Sequence, residues 1–252
     1  MTAVTRSRGY ARLVEACAKP GCPVCRCLHD DVVRYLATLL YEHVTDPDMR
    51  ASLRAARGFC RWHVETLTDL PDSALGSAII AADVLGREIA RAEQTLAAVR
   101  RTRPRVAWRD LLRRRRDGRR GEARTRATCP ACAMARESER RHLDTMLESV
   151  GDARFDRALD GSDGPCVTHL ERLVESRAPD AAVLKVLAQT VDCWRRLRDT
   201  AQRFAEKHDY RNRVPFTEAE ARSWRQALEL LAGPLGDAGE PSDRRRGRTR
   251  RA

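Results

Sequence analysis

Two cysteine-containing motifs occur twice in the chain, in the same order and at nearly the same spacing. CPVC at 22–25 is followed by GFCRWH at 58–63, and CPAC at 129–132 is followed by GPCVTH at 164–169. Thirty-four residues separate Cys25 from Cys60, and thirty-three separate Cys132 from Cys166, so one deletion relates the two copies. The pattern predicts an internal repeat, in which two tandem copies of one module fold alike.

The residues around the motifs favour helices. Ala, Leu, Arg and Glu lose little side-chain freedom in a helix and dominate most segments, whereas strand-forming residues are scarce. Apolar residues follow each CPxC motif at helical spacing: Val32, Val33, Leu36, Leu39 and Leu40 in the first copy, and Met134, Leu143, Met146 and Leu147 in the second. We therefore predict an all-α fold of two tandem pseudo-repeated helical modules, each with a Cys3His metal site, plus a C-terminal helix.

The helices can be placed approximately along the chain. Each copy has a short helix, at about 47–57 and 152–160, and a third helix that begins at its Cys-x-x-His. A proline followed by aspartate then precedes a long helix, at about 73–101 and 180–209. Thr217 and Glu220 have capping-box spacing and open a last helix, about 217–232, that has no counterpart in the first copy.

The predicted domains follow the repeat. Residues 1–101 form a first metal-binding helical module, and 128–235 form a second one that includes the C-terminal helix. Residues 102–127 are an Arg-rich linker. The tail, 236–252, is basic and rich in Gly and Pro, which predicts disorder.

The repeated motifs carry the residue types of a metal site. In Cys-Pro-x-Cys two thiolates can bind one ion from the same side, and Cys-x-x-His places two more ligands on one face of a starting helix. The candidate ligands are Cys22, Cys25, Cys60 and His63 in the first copy, and Cys129, Cys132, Cys166 and His169 in the second. The remaining cysteines and histidines lack a counterpart in the other copy: Cys17, Cys27, Cys193, His29, His43, His142 and His208.

Zinc is the metal that a Cys3His set suits best, and four protein ligands leave no open position for a substrate. We predict two zinc sites, one in each copy. An alternative at the first site is an iron–sulfur cluster, because Cys17, Cys22 and Cys25 have plant-type spacing and Cys60 could be the fourth ligand. Of the other unmatched cysteines, Cys193 is expected to be packed, and Cys27 is a buried thiol or a competing, oxidisable one.

The positive charge is unevenly distributed. Residues 100–126 hold thirteen Arg and three acids, a net of +10, and residues 244–252 add six Arg. Subtracting 10 and 6 from the total of +12 leaves −4 for the remainder. Nonspecific nucleic-acid binding through the linker and tail is therefore one possible activity, and a solubilising role is the alternative.

No secretory or membrane-spanning apolar run is evident, which predicts a soluble, cytoplasmic protein with no membrane partner. Nine cysteines in a reducing compartment favour metal ligation over disulfides. Two enzyme patterns fail here. Zinc deaminases need a shorter gap than the Arg-rich linker allows, and thioredoxin chemistry needs a βαβ unit. We therefore do not expect an enzyme.

The ordered motifs resemble an uncharacterised bacterial family, domain of unknown function 6062. The resemblance spans about 20–232 and is carried by CPVC, LLYEHVTDP at 39–47, GFCRWH, CPAC, PCVTH, KHDYR at 207–211 and SW at 223–224. It implies the same eight ligands and no assigned activity, and the Arg-rich linker and tail look like departures from the family. The KHDYR segment lies at a helix end, where it could form a polar site or interact with the last carbonyls.

Three hypotheses about function follow. The first is a non-enzymatic helical module in which structural zinc supports binding to a protein partner. The second is a redox-responsive switch, in which oxidation of the thiolates releases zinc. The third is nucleic-acid binding by the Arg-rich segments.

Overall fold

The computed structural model describes residues 8–101, 127–176, 180–209 and 211–233. These residues form ten helices and no strand. The helices are α1 (Arg8–Cys17), α2 (Pro23–Glu42), α3 (Pro47–Ala56), α4 (Arg61–Thr68), α5 (Ser73–Arg101), α6 (Pro130–Ser149), α7 (Ala153–Asp160), α8 (Val167–Ser176), α9 (Ala181–Glu206) and α10 (Glu218–Ala232). The all-α prediction is confirmed. None of the described helices is long and apolar enough to cross a bilayer.

The chain divides into two compact units that interleave along the sequence. Unit 1 combines residues 1–32 with 135–252, and unit 2 comprises 33–134. The boundaries fall within α2 and α6, so the compact units do not follow the division into copies that the repeat suggests. The predicted linker and tail lie mainly outside the described residues.

Unit 1 has a core of buried side chains from α1 and from the second half of the chain. Leu13, Phe155, Leu159 and Leu173 are fully buried in it, and Leu230 of α10 closes one side. α10 packs along α9 and also contacts α8. The buried ion pair between Lys207 Nζ and Glu220 Oε2, 2.7 Å apart, fixes this packing at the end of α9.

Unit 2 is smaller, and its long helix α5 packs against α3 and α4. Its buried apolar residues are Leu36, Leu39, Leu53, Ala56, Phe59, Leu67, Ile80, Val84, Cys129 and Ala131. On its surface, Asp83 of α5 accepts hydrogen bonds from Arg54, at 2.7 and 2.8 Å, and from Arg50. No described helix of unit 2 takes the place that α10 has in unit 1.

Local sequence signals explain where the helices begin. Asp46 and Asp152 cap α3 and α7 by accepting hydrogen bonds from the first-turn amides. Thr217 and Glu220 form the predicted capping box of α10. The predicted helices agree with the observed ones within a few residues at their ends. The sequence analysis missed α1, whose Tyr10 and Leu13 are buried in unit 1.

Some contacts recur at a spacing of 106 residues. Gly58 lies beside Val84, and Gly164 lies beside Thr190. Both glycines have a positive φ, 86° and 77°, which a side chain would strain, and each lies two residues before a ligand cysteine. This turn directs the chain into the helix that carries the ligand histidine.

Candidate metal centres

The eight candidate ligands all lie at helix N-termini. Cys22 and Cys129 directly precede α2 and α6, and the proline that follows each of them occupies the first helical position. Cys60 is the N-cap residue of α4, and Cys166 directly precedes α8. A helix N-terminus favours thiolate because its dipole and its unpaired amides stabilise negative charge.

Four of the ligands meet in unit 1. Centre 1 consists of Cys22, Cys25, Cys166 and His169, whose donor atoms all lie within 4.8 Å of one another. The Nδ1 atom of His169 is 3.1 Å from the sulfur of Cys166 and 3.4 Å from each of the other two sulfurs. The sulfurs of Cys25 and Cys166 are 3.7 Å apart.

The other four ligands meet in unit 2. Centre 2 consists of Cys60, His63, Cys129 and Cys132. The Nδ1 atom of His63 lies 3.0 Å from the sulfur of Cys60, 3.6 Å from that of Cys129 and 3.4 Å from that of Cys132. The sulfurs of Cys60 and Cys132 are 3.6 Å apart. Ligands held at 2.1–2.3 Å in a tetrahedron around zinc lie roughly 3.4–3.8 Å apart, so both centres have about the size that such an ion needs.

The pairing of the motifs differs from the prediction. We expected each copy to close its own site, but each centre combines the Cys-Pro-x-Cys of one copy with the Cys-x-x-His of the other. The reason lies in the helix lengths. α2 has 20 residues, about 30 Å, whereas the returning helix α3 has 10 and covers only about half that distance. Cys60 therefore remains with the second half of α2, in unit 2, instead of returning to Cys22.

The thiols within each centre shift one another's pKa values. Contact with Cys132 is the largest influence that lowers the pKa of Cys129, to about 3, and His63 adds to it. Contacts with Cys22 and Cys25 lower the pKa of Cys166 in the same way. Neighbouring thiols raise the pKa of Cys25 and of Cys132, because two adjacent thiolates repel each other. A bound cation would replace the remaining protons and remove this repulsion.

The outer nitrogen of the histidine has different surroundings in the two centres. In centre 1, His169 Nε2 lies 2.8 Å from Glu139 Oε1, although the two groups are not aligned as a hydrogen bond. Glu139 is buried and is also paired with Arg172, and both interactions oppose the effect of burial and lower the pKa of its carboxyl. In centre 2, His63 Nε2 is buried without a hydrogen-bond partner among the described residues.

The sequence analysis missed Glu139 because the repeat carries no sign of it. The position 107 residues earlier, which the spacing of the CPxC motifs assigns as its counterpart, is Val32. Glu139 lies between the CPAC and GPCVTH motifs, and its distance in sequence from either motif does not mark it as a partner of the histidine. Only the fold brings it to the histidine.

The iron–sulfur alternative at the first site is not supported. Its proposed fourth ligand, Cys60, lies in centre 2, and Cys17 belongs to neither centre. Burial raises the pKa of Cys17 to about 12 and that of Cys27 to about 11, so both remain protonated thiols in the core. The thiol of Cys193 donates to the carbonyl of Leu159, as expected for a packed residue.

Two other polar groups have structural roles. Asp31 lies 2.5 Å from Arg12 and 2.8 Å from His142 and also accepts a hydrogen bond from Ser138, so this buried cluster is internally paired. At the end of α9, the ring of His208 packs against those of Phe204 and Phe216, and Lys207 is paired with Glu220 on α10. Tyr210 lies outside the described residues.

Comparison with known proteins identifies the family of the chain. A model of a family of unknown function, DUF6062, matches residues 12–233. The chain belongs to the DUF6062 family. This DUF6062 protein is also similar to the "Uncharacterized 23.9 kDa protein in xynA 3'region" of Caldicellulosiruptor sp. (strain Rt8B.4). The two are 25% identical over 230 residues, which cover 88% of this chain and 99% of the relative. No solved structure matches the DUF6062 chain significantly.

Proposed function

We propose that the protein binds two zinc ions, one in each centre, and that zinc has a structural role. The observation that carries this proposal is the convergence of eight cysteine and histidine donors into two groups of tetrahedral size. Three thiolates and one imidazole are a donor set that suits zinc. All four positions around each ion are protein ligands, so we propose no catalytic role.

The position of each centre in the chain supports a structural role. In centre 1, Cys25 and His169 are 144 residues apart, and in centre 2, His63 and Cys132 are 69 residues apart. An ion that joins such distant segments closes long loops and so lowers the entropy of the unfolded chain. Each zinc ion would therefore hold together elements of its unit that the backbone does not connect directly.

The cellular role that we propose is protein interaction, in the cytoplasm. Five large apolar side chains are exposed on the single helix α5, and a contiguous apolar surface is the property expected of a surface that binds another protein. The Arg-rich linker and tail lie mainly outside the described residues, so nucleic-acid binding stays a prediction from the sequence.

Metal analysis of the purified full-length chain tests the zinc proposal. We expect two zinc ions per chain by elemental analysis, in protein prepared aerobically and in protein prepared under anaerobic conditions. Chelation should lower the melting temperature, and added zinc should restore it. Bound iron with visible charge-transfer absorption would refute the proposal, as would fully folded protein that contains no metal.

A redox switch at centre 2 is a second candidate. Cys60 and Cys132 are only half-buried, and their sulfurs are 3.6 Å apart. Two thiolates, one alkyl hydroperoxide and two protons would give a disulfide, one alcohol and one water, and zinc would lose two ligands. If mild hydroperoxide releases one zinc ion per chain and a thiol reductant restores its binding, the switch is supported. Release of zinc only with irreversible unfolding would refute it.

A further inference from the structure

One face of α5 is apolar and exposed along almost its whole length. The exposed apolar residues follow one another at intervals that alternate between three and four residues. This spacing of about 3.5 residues is typical of a helix that packs along another helix. Leu75, the most exposed of the larger residues, is 75% accessible, and Ile89 is 56% accessible. The exposed positions, which we call the α5 stripe, are Leu75, Ala78, Ala82, Leu85, Ile89, Ala92, Leu96 and Val99.

The stripe is separate from the face that holds α5 in its own unit. The buried residues of α5 are Ser73, Gly76, Ile80 and Val84, which face unit 2. With about 3.6 residues per turn, the stripe lies on nearly the opposite side of the helix from them and is not needed for the packing of the unit. Its apolar character therefore requires another explanation.

The second half of the long helix of unit 1 carries polar residues on this face, whereas its first half is apolar there, with Leu184 and Val191 exposed. Adding 106 to the number of each stripe residue gives its counterpart on α9, because the same spacing relates the glycine contacts of the two units. All of these counterparts are also exposed. Over its second half α9 has Arg195, Arg198 and Gln202, where α5 has Ile89, Ala92 and Leu96. The two helices thus differ in their second halves, where α5 keeps an apolar face that α9 does not have.

We propose that the α5 stripe binds the α5 stripe of a second copy of this chain, with the two helices antiparallel. We align the helices so that the residue numbers of any two opposite positions add up to 174. Each of the eight stripe positions then faces a stripe position of the partner. Leu75 lies opposite the partner's Val99, and Leu85 lies opposite the partner's Ile89. Ala78 lies opposite the partner's Leu96, so that a small residue meets a large one, and Ala82 lies opposite the partner's Ala92.

A parallel pair is less suitable for two reasons. It would place each alanine of the stripe opposite the same alanine of the partner, which leaves three poorly filled layers, whereas the antiparallel register leaves two. It would also place Glu88, which flanks the stripe, next to the partner's Glu93 on both sides of the seam, and like charges there oppose pairing.

The apolar area is large enough for a specific dimer. Full burial of a side chain of the size of leucine removes on the order of 100 Å² from water, and the stripe has five large residues that are about half to three-quarters exposed. For two copies these five residues alone account for roughly 600 Å², and the three alanines and the flanking side chains bring the interface to the low end of the sizes of specific, reversible complexes. This inference names one partner for the interaction module proposed above.

The test is the mass of the full-length protein in solution. We expect a dimer of 57 kDa, twice the chain mass of 28.5 kDa, by sedimentation between about 1 and 100 µM. The variant Ile89→Arg/Leu96→Gln copies the residues of α9 and should weaken the dimer roughly 100-fold or more, because it places a charge in the seam of both chains. Helix content and zinc content should not change.

The matched control is Leu184→Gln/Val191→Arg, which changes exposed apolar residues at corresponding positions of α9 and should leave the dimer intact. A wild-type protein that is monomeric over this range would refute the proposal, as would a control that dissociates equally. Zinc is measured in the same samples. A dimer without zinc would therefore refute only the proposed function, and a monomer with zinc would refute only this inference.

Photo-crosslinking tests the orientation. With the variant Leu75→p-benzoylphenylalanine, the crosslinked peptide of the second chain should contain Val99. A crosslink to the peptide that contains position 75 would indicate parallel helices and overturn the antiparallel arrangement.

Discussion

Centre 1 and centre 2 have the same donor set but differ in what holds the histidine. In centre 1, the outer nitrogen of His169 faces the buried carboxylate of Glu139, which Arg172 holds in turn. In centre 2, no carboxylate pairs with the outer nitrogen of His63 among the described residues, and the ring centroids of Trp62 and His63 are 4.3 Å apart. A carboxylate behind a ligand histidine orients the ring and makes it a stronger ligand.

The comparison indicates that the two centres share their ligand types but not the groups that support the ligands. If both centres bind zinc, they should differ in how firmly they hold it. Centre 1 should retain its ion longer, and unit 1 also has the additional helix α10. Centre 2 should be the site of exchange or oxidation. The predictions below test this difference, from the largest effect to the smallest.

The largest effect is expected from removing ligands in pairs. Cys22→Ser/Cys166→Ser removes two ligands of centre 1 and should leave one zinc ion per chain. Cys22→Ser/Cys60→Ser removes one ligand from each centre and should leave almost none. Elemental analysis of both variants, prepared in parallel, measures the difference.

The single variants provide the control for this pairing. The loss of stability in Cys22→Ser and Cys166→Ser should not be additive, because both act on the same ion. If the motifs of each copy formed one site instead, Cys22→Ser/Cys60→Ser would keep one zinc ion, and the crossed arrangement would be wrong.

The second prediction concerns Glu139. Transfer of zinc to a colorimetric chelator should occur in two phases, with centre 2 releasing its ion first. Glu139→Gln should accelerate the slow phase by about 10- to 100-fold, because it removes the charge that supports His169, and should leave the fast phase unchanged. Stopped-flow absorbance measures both rates.

Glu137→Gln is the control for this variant, since it changes an exposed glutamate on the same helix that pairs only with surface arginines in the structure. It should leave both phases as they are in the wild type. Equal acceleration of both phases by Glu139→Gln would show that the carboxylate does not act on centre 1 specifically.

The smallest effect is expected at α10, the helix that distinguishes unit 1. Thr217→Ala removes the hydroxyl that accepts a hydrogen bond from the amide of Glu220 and should lower the free energy of unfolding by about 1 kcal/mol. Denaturant titration measures the change. In the control, Thr200→Ala, the lost hydroxyl donates to the carbonyl four residues earlier and accepts a hydrogen bond from Arg203 at an exposed position, so stability should hardly change. Equal losses would contradict a specific role for the cap.

Several elements were predictable because their signals are local. Thr217 and Glu220 identify the start of α10, and each Cys-x-x-His marks the start of a helix, since capping and turn chemistry depend on neighbours in sequence. α1 was missed because its ten residues have no cap signal, and their burial depends on α7 and other parts of unit 1.

The sequence by itself determined the all-helical fold, the family and which eight side chains form the candidate centres. These follow from helix propensity, capping and the repeated motifs, all of which are properties of short segments. The tertiary structure decided which motifs combine and which histidine receives a carboxylate. Both depend on how far α2 and α6 carry the chain before it turns back, and on contacts between residues thirty or more positions apart, such as Glu139 with His169. Motif spacing contains no information about such distances.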